Sequence, residues 1–284
     1  MIQNLAGQFP VRPLCSLLEV SPSGYYQWCQ RTPSPRARAN QKLLRQIQKA
    51  FDQSRQTYGS PRITHCLKRK KLRCSENRVA RLMREHQLQA KSKRPFRPRT
   101  TDSRHSYGAA PNELKKTGLL KAINQAWVAD ITYIATDAGW VYLAAIMDLY
   151  SRKIVGWSLG CSLHTSLVKE ALQQAWTLRR PAAGLLHHSD RGSQYASSAF
   201  RALLLDYQIT PSMSQPGNCY DNAAMESFWS TLKTELIHRQ SFASPRQASR
   251  AIGRYISAFY NTKRLHSALN FKSPVEFEKL STII

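Results

Sequence analysis

Acidic side chains are scarce in this 284-residue chain: 17 Asp plus Glu stand against 42 Lys plus Arg, a formal net charge of +25. A field of that size must find counter-charges, and a polyanion is the natural partner. A generic basic surface is the plain alternative. No cysteine pair has C-x-x-C spacing among Cys15, Cys29, Cys66, Cys74, Cys161 and Cys219. That argues against a zinc site, and the spacing suggests no disulfide framework. No apolar run reaches the ~18 residues a membrane span needs. The N-terminus carries no signal-peptide pattern, so a reducing cytoplasm is the expected location and no membrane partner is expected. There is no internal repeat. The hydrophobic fraction of 42% excludes disorder throughout, and the length suits two domains.

The charge is unevenly placed, with +18 of it in residues 1–110. Residues 10–30 read as two short helices, the second opened by Ser21-Pro22 as N-cap and first helical residue. Residues 31–35, with two prolines in three positions, read as a linker. A helix is expected over 40–54, with Leu43, Leu44, Ile47, Ala50 and Phe51 on one face. Pro61 opens another, carrying Ile63 and Leu67. Ser75 caps a third, with Val79, Leu82 and Met83 inward and Arg78, Arg81 and Arg84 on its polar side. Two short helices joined by a tight turn, the second rich in arginine, suggest a helix-turn-helix whose arginines contact DNA. A solvated helical pair with basic faces is the bland alternative. Residues 91–105 hold basic residues and two prolines and read as a basic linker, either along a phosphate backbone or as a plain tether.

From Trp127 the texture changes. Strands are expected at 127–135, 140–149 and 153–159, the first two paired as a hairpin around Asp137-Ala138-Gly139. Then come a helix (166–179), a strand (185–188), a helix (198–207), a strand (209–213) and helices at 221–237, 245–260 and 275–280. Strands first and alternating elements after them describe a mixed α/β sheet.

Three acids sit at informative places. Asp130 lies inside the first strand, sharing a face with Val128 and Thr132. A carboxylate among apolar strand residues is costly unless paired or metal-bound. Asp190 follows a short apolar strand, where α/β sheets keep ligand-binding groups. Glu226 lies on a helix, where Asn222, Glu226, Ser230 and Lys233 form one face and Ala224, Phe228, Leu232 and Leu236 the other. Lys233 therefore points the way Glu226 does, toward a phosphate at the site. In-line displacement at a phosphodiester calls for such carboxylates, because two Mg²⁺ or Mn²⁺ ions roughly 3.5–4 Å apart serve the attacking and leaving oxygens. Singly, each acid has a structural reading: a buried capping residue, a turn former before Gly192, a solvated helix residue. Asp148 rivals Asp130 and Asp221 rivals Glu226, though Asp221 at a helix start also suits the helix dipole. His187 and His188 are either structural or within reach of metal or DNA. Asn222 is placed to steady the site beside Glu226. Tyr220, Trp229, Lys263, Arg264 and His266 either touch DNA or pack.

Between Asp190 and Glu226 lie 35 residues. With the segments 127–134, 188–195, 217–233 and 261–274, this pattern resembles the DDE recombinases, and more narrowly the second-reading-frame protein of insertion-sequence-three transposases. Ser23-Gly24-Tyr25-Tyr26-Gln27-Trp28, residues 58–63 and residues 78–84 fit the same family. The resemblance implies an RNase H-like mixed five-stranded sheet with flanking helices, preceded by a mostly helical, helix-turn-helix-type N-terminal region. The corresponding division is 1–35, 36–90, a basic linker over 91–120, and a catalytic domain over 121–284. The resemblance also implies that Asp130, Asp190 and Glu226 bind two divalent ions, that Lys233 contacts DNA, and that the reaction is DNA cleavage and strand transfer at insertion-sequence ends. The implied partners are terminal-repeat and target DNA, a second copy on DNA, and an upstream-frame product carrying the leucine zipper, for which no heptad repeat is present near the start of this chain. A non-catalytic DNA-binding regulator and an RNase H-like nuclease are the alternative functions.

Overall fold

A computed structural model describes residues 1–90, 110–214 and 222–281. The expected helix (residues 221–237) loses its first residue to the undescribed stretch, and the basic run 91–105 lies wholly outside the described residues.

The N-terminal part is helical: α1 (Ile2–Leu5), α2 (Val11–Leu17), α3 (Pro22–Gln30), α4 (Pro35–Gln53), α5 (Ser60–Arg69) and α6 (Glu76–Glu85). Ser21 caps α3 by accepting from the Gly24 N–H at 3.1 Å, and Ser75 caps α6 through the Arg78 N–H at 3.3 Å. The segment 31–35 is not all linker. Ser34 accepts from the Ala37 N–H at 3.1 Å, so α4 begins at Pro35, five residues before its expected start. The reason is the Ser-Pro signal already used at Ser21-Pro22: Pro at the first helical position gives up an N–H that has no partner there. Leu43, Ile47, Ala50, Phe51, Ile63, Leu67, Val79, Leu82 and Met83 form one buried core. Each large aliphatic side chain buried there stabilises by about 1.5–3 kcal/mol.

The second part is built on β1 (Ala126–Thr136), β2 (Gly139–Asp148), β3 (Ile154–Gly160), β4 (Leu186–Ser189) and β5 (Thr210–Met213). The spatial order is β3-β2-β1-β4-β5. The first three pair antiparallel, while β1–β4 and β4–β5 are parallel. This is the mixed five-stranded sheet with flanking helices that the sequence resemblance implied. Alternation along β1 splits it between two cores. Val128 and Ile134 face α10 (Ala223–Glu235) and α11 (Pro245–Tyr255). Trp127 and Ala129 face α7 (Thr165–Arg179), α8 (Ser193–Ala196) and α9 (Ser198–Asp206). Gly156 lets α7 lie directly on β3: a Cβ there would strike the Ala171 carbonyl and sit 2.8 Å from the Ala175 Cβ.

The C-terminal run differs from expectation. α11 ends at Tyr255 and a π-helical turn takes over at Ile256–Tyr260, before α12 (Pro274–Ser281). Between them, Asn261 acts as a strand partner for the sheet edge: its side-chain oxygen accepts from the Ile154 N–H at 3.0 Å and its amide donates to the Ile154 carbonyl at 2.9 Å. Leu265 then enters the N-terminal core. Phe271 stacks on His65 at 3.7 Å between ring centroids, and Glu276 pairs with Arg69 at 2.9 Å. Ser273 and Glu276 form a reciprocal capping box on α12. The segment 261–274 is thus a clasp between the two parts of the chain.

Candidate active site

β1 and β4 decide where two of the acids stand. Val128 pairs with His188 in the parallel register. Asp130 and Asp190 each lie two residues past that pair. Asp130, inside β1, and Asp190, just past the end of β4, therefore stand at the same level of neighbouring strands. Asp130 has both carboxylate oxygens engaged: Oδ1 accepts from the Ile131 N–H at 2.9 Å, and Oδ2 accepts from the Trp229 indole N–H at 2.9 Å. Burial pushes its pKa up to about 7, with the Asp190 charge adding to it and the Glu226 charge contributing less. Asp190 Oδ1 accepts from the Gly192 N–H at 3.0 Å as the chain turns into α8. A Cβ on residue 192 would sit 3.0 Å from that same oxygen and 3.1 Å from Gln194 Oε1.

Glu226 is exposed in the first turn of α10. Residues 222, 226, 229 and 233 form one stripe at helical spacing. Trp229 sits within it, between Glu226 and Lys233, where the sequence reading had placed Ser230. Three of the four bear on Asp130: Trp229 by hydrogen bond, Glu226 and Lys233 by charge. The Lys233 ammonium lies over the Tyr133 ring, 5.1 Å from its centroid. Burial lowers its pKa, and Asp130 opposes that shift. Trp140, 58% exposed, meets Tyr133 edge-on. Asn222 Oδ1 is buried with no hydrogen-bond partner among the described residues. Tyr195 is buried in the core beside His187 and Phe200. Burial first, and the charges of Asp130 and Asp190 after it, drive its hydroxyl pKa well above the ordinary value, so it stays protonated.

The two histidines part company. His187 points into the core against Tyr195 and Phe200, and its Nε2 has no partner among the described residues. His188 is fully buried on the other face, bonded to Ser212 Oγ at 2.9 Å and Ser214 Oγ at 3.1 Å. Ser212 Oγ already accepts from the Glu113 and Leu114 N–H groups, so its own proton goes to His188 Nδ1. His188 then carries hydrogen on Nε2 and donates to Ser214. Nothing in the sequence pattern marked those serines. Ser212 also seats Glu113 and Leu114 against the β5 edge.

Other candidates resolve into structure. Asp148 is fully buried at the end of β2 and accepts from the N–H groups of Asn124, Tyr150 and Ser151. It does not rival Asp130. Arg179 joins it to Glu278 of α12. Arg264 is buried against Glu235 at 2.8 Å, and His266 is buried edge-on to Tyr260. Lys263 is exposed. Tyr220 and Asp221 lie outside the described residues. Arg78 donates twice to Asn40 Oδ1, tying α6 to α4, while Arg81 pairs with Glu85 on the surface and Arg84 is exposed. No group of three His, Cys, Asp or Glu side chains among the described residues is close enough to cage a metal ion. Asp190 and Glu226 act on Asp130 by charge.

Comparisons with known proteins follow the same division. An HTH-like domain matches residues 38–96, and two integrase core domain models match residues 121–219 and 207–274. An uncharacterized 31 kDa protein of insertion element IS600 from Shigella sonnei is 44% identical, covering 94% of this chain and 97% of its own. The transposase InsF for insertion sequence IS3A from Escherichia coli K12 is 38% identical, covering 98% and 96%. Among solved structures, a simian T-cell lymphotropic virus intasome in complex with a PP2A regulatory subunit aligns over 82% of this chain and 74% of its own, with 14% identity and a TM-score of 0.47. The HTLV-2 integrase catalytic core with magnesium aligns over 55% and 97%, with 16% identity and a TM-score of 0.42.

Proposed function

The chain belongs to the insertion-sequence-three family of transposases, and we propose that it breaks and joins DNA at insertion-sequence ends through Asp130, Asp190 and Glu226. The observation that carries this reading is geometric: Asp130 and Asp190 stand two residues beyond the paired Val128 and His188 of β1 and β4, and Trp229 of the helix that bears Glu226 bonds Asp130; the charges of Asp190 and Glu226 both act on Asp130. Three acids with that much shared negative charge, and only oxygen donors to offer, suit hard divalent cations. Two such ions, Mg²⁺ or Mn²⁺, would activate the attacking oxygen and offset charge on the leaving one.

The protein's own groups orient the reactants. Cleavage has a water oxygen form a bond to phosphorus while the bond to the 3′ oxygen breaks, leaving a 3′-hydroxyl. Strand transfer has that hydroxyl oxygen attack a target phosphodiester in the same sense, expelling the target's 3′ oxygen. Asp130 enters with its carboxylate direction set by Trp229 and Ile131, and Asp190 with its direction set by Gly192. Lys233 supplies positive charge to a phosphate beside them. Arg78, Arg81 and Arg84 contact the duplex through phosphates, Arg78 with part of its donor capacity already held by Asn40.

The same reading assigns residues 1–35 to a helical lead-in, 36–90 to DNA recognition, 91–120 to a basic linker and 121–284 to catalysis. It takes terminal repeats and target DNA as substrates, a second copy of the chain on the DNA, and the upstream-frame product as partner. A cytoplasmic, nucleoid-associated location accords with the free thiols of Cys15, Cys29, Cys66, Cys74 and Cys161. No helix among the described residues is long and apolar enough to cross a membrane.

The test is a strand-transfer assay on the flanking inverted repeats, with and without the upstream-frame product. Asp130→Asn, Asp190→Asn and Glu226→Gln are each expected to abolish Mg²⁺- or Mn²⁺-dependent joining while duplex binding persists. Full activity in any of the three overturns the assignment. Hydrolysed ends without joined products would mark a nuclease instead.

A further inference from the structure

We infer that Trp229 is a positioning residue: its indole N–H fixes the direction of the Asp130 carboxylate and ties it to the seating of the helix that bears Glu226. The inference rests on the reading of Asp130 as a site carboxylate given above. Its own ground is geometric.

The indole Nε1–H donates to Asp130 Oδ2 at 2.9 Å while the Ile131 N–H holds Oδ1 at 2.9 Å. One donor on each oxygen removes the freedom of the carboxylate to rotate, and each oxygen keeps a second lone-pair direction for another partner. Trp229 is itself immobile. It is 7% exposed, packed at 4.8 Å against Phe228 and part of the core that contains Val128 and Ile134 of β1.

The choice of residue type has a physical consequence. An arginine or lysine in that place would orient Asp130 equally well, but its charge would neutralise the carboxylate. An indole donates a hydrogen bond, has no acceptor and carries no charge. It therefore aims the carboxylate without adding a compensating positive charge. The position on α10 adds coupling. Trp229 lies three residues after Glu226 and four before Lys233 on the stripe that faces Asp130, so a displacement of the helix shifts the second carboxylate and releases the first together.

The experiment compares Trp229→Phe with replacement of Trp229 by β-(3-benzothienyl)alanine, which keeps the bicyclic shape and removes only the N–H. The second variant decides the matter if the first fails to fold. Titration calorimetry with Mn²⁺ alone is expected to show binding weakened by about 10–100-fold, the range for losing an outer partner of a metal-binding group. Duplex affinity and the thermal midpoint of the benzothienyl variant should match wild type. The wild-type protein labelled with ¹⁵N at indole nitrogens should show the Trp229 N–H resonance displaced in Asp130→Asn, without any metal added. Wild-type Mn²⁺ affinity in the benzothienyl variant, or an indole resonance indifferent to Asp130→Asn, overturns the inference. The two failures are distinguishable. If Asp130→Asn itself retains Mn²⁺ binding and strand transfer, the site reading fails. If Asp130→Asn loses both while the Trp229 variants lose neither, only the role of Trp229 fails.

Discussion

The Tyr58 hydroxyl oxygen accepts a hydrogen bond from the Leu265 N–H at 2.7 Å, joining the helical N-terminal part to the tail of the sheet-bearing part. Both residues are buried, Tyr58 at 3% exposed and Leu265 at 2%. Around that bond lie the His65–Phe271 stack, the Arg69–Glu276 pair and the Arg239 guanidinium donating to the Arg55 carbonyl. The two parts of the chain meet through a packed interface.

That bond makes a graded prediction. Tyr58→Phe leaves a buried N–H without a partner and is expected to destabilise by about 1–3 kcal/mol. Arg69→Ala breaks an ion pair whose side chains are 45% and 43% exposed, and should cost less than about 1 kcal/mol. Urea midpoints of the two variants test the order. Equal effects would show that the clasp is held by its rim rather than its centre.

Gly192→Ala should separate activity from folding. The backbone at Gly192 has φ −58°, which alanine accepts, so stability should move little. The new methyl sits against Asp190 Oδ1, and displacing that carboxylate by a fraction of an ångström should slow strand transfer by about 10–100-fold. Single-turnover rates beside thermal midpoints check this, and a wild-type rate would refute the crowding argument.

Acid sensitivity follows from His187. Burial, with His188 adding to it, lowers the pKa of its imidazole from 6.5 to about 3. Below pH 6.5 the unfolded chain takes up a proton that the folded chain refuses until about pH 3. The stability from a neutral His187 is therefore complete above about pH 6.5 and drains away as pH falls toward 3, by about 1.4 kcal/mol per pH unit. His187→Leu removes both that proton uptake and a buried nitrogen without a partner among the described residues. It should match or exceed wild-type stability at pH 7.5 and lose stability more gently between pH 6.5 and 4.5. Some slope remains, because His266 is also lowered to about 3, chiefly by burial. Parallel slopes in denaturant titrations would contradict the assignment.

Arg264→Ala should behave as a folding variant. Its guanidinium and the Tyr255 hydroxyl together satisfy Glu235 in a region where the Arg264 and Glu235 side chains are 7% and 6% exposed. Removing the cation leaves a buried carboxylate uncompensated, at a cost of about 3–5 kcal/mol. A drop in DNA affinity with an unchanged unfolding midpoint would restore Arg264 as a DNA contact.

Several features were legible in the sequence for local reasons. The Ser-Pro caps, the amphipathic faces of α4 to α6 and the alternation of β1 depend on neighbours within a few positions. So do the strand context of Asp130 and the strand-end context of Asp190. Applied consistently, the Ser-Pro rule would also have placed the start of α4 at Pro35. The stripe through Glu226 and Lys233 is visible too, but a tryptophan in a helix reads first as core, which hides residue 229 as a member of it. Its donor function depends on a partner ninety-nine residues away.

What the sequence determined by itself was the polyanion-seeking charge, the element types, and three acids in contexts where a carboxylate needs a reason. Those follow from composition and short-range periodicity. The tertiary structure decided which polar residues act as architecture and which face the candidate site. Asp148, Arg264, His188 and Asn261 look from sequence as reactive as Asp130, Asp190 and Lys233. Only pairing across β1 and β4, and the docking of α10 and the 261–274 clasp, gives the first group buried partners and brings the second to one face. Hydrogen bonds and charges act through space over a few ångströms, and the chain alone does not say which distant residues will come that close.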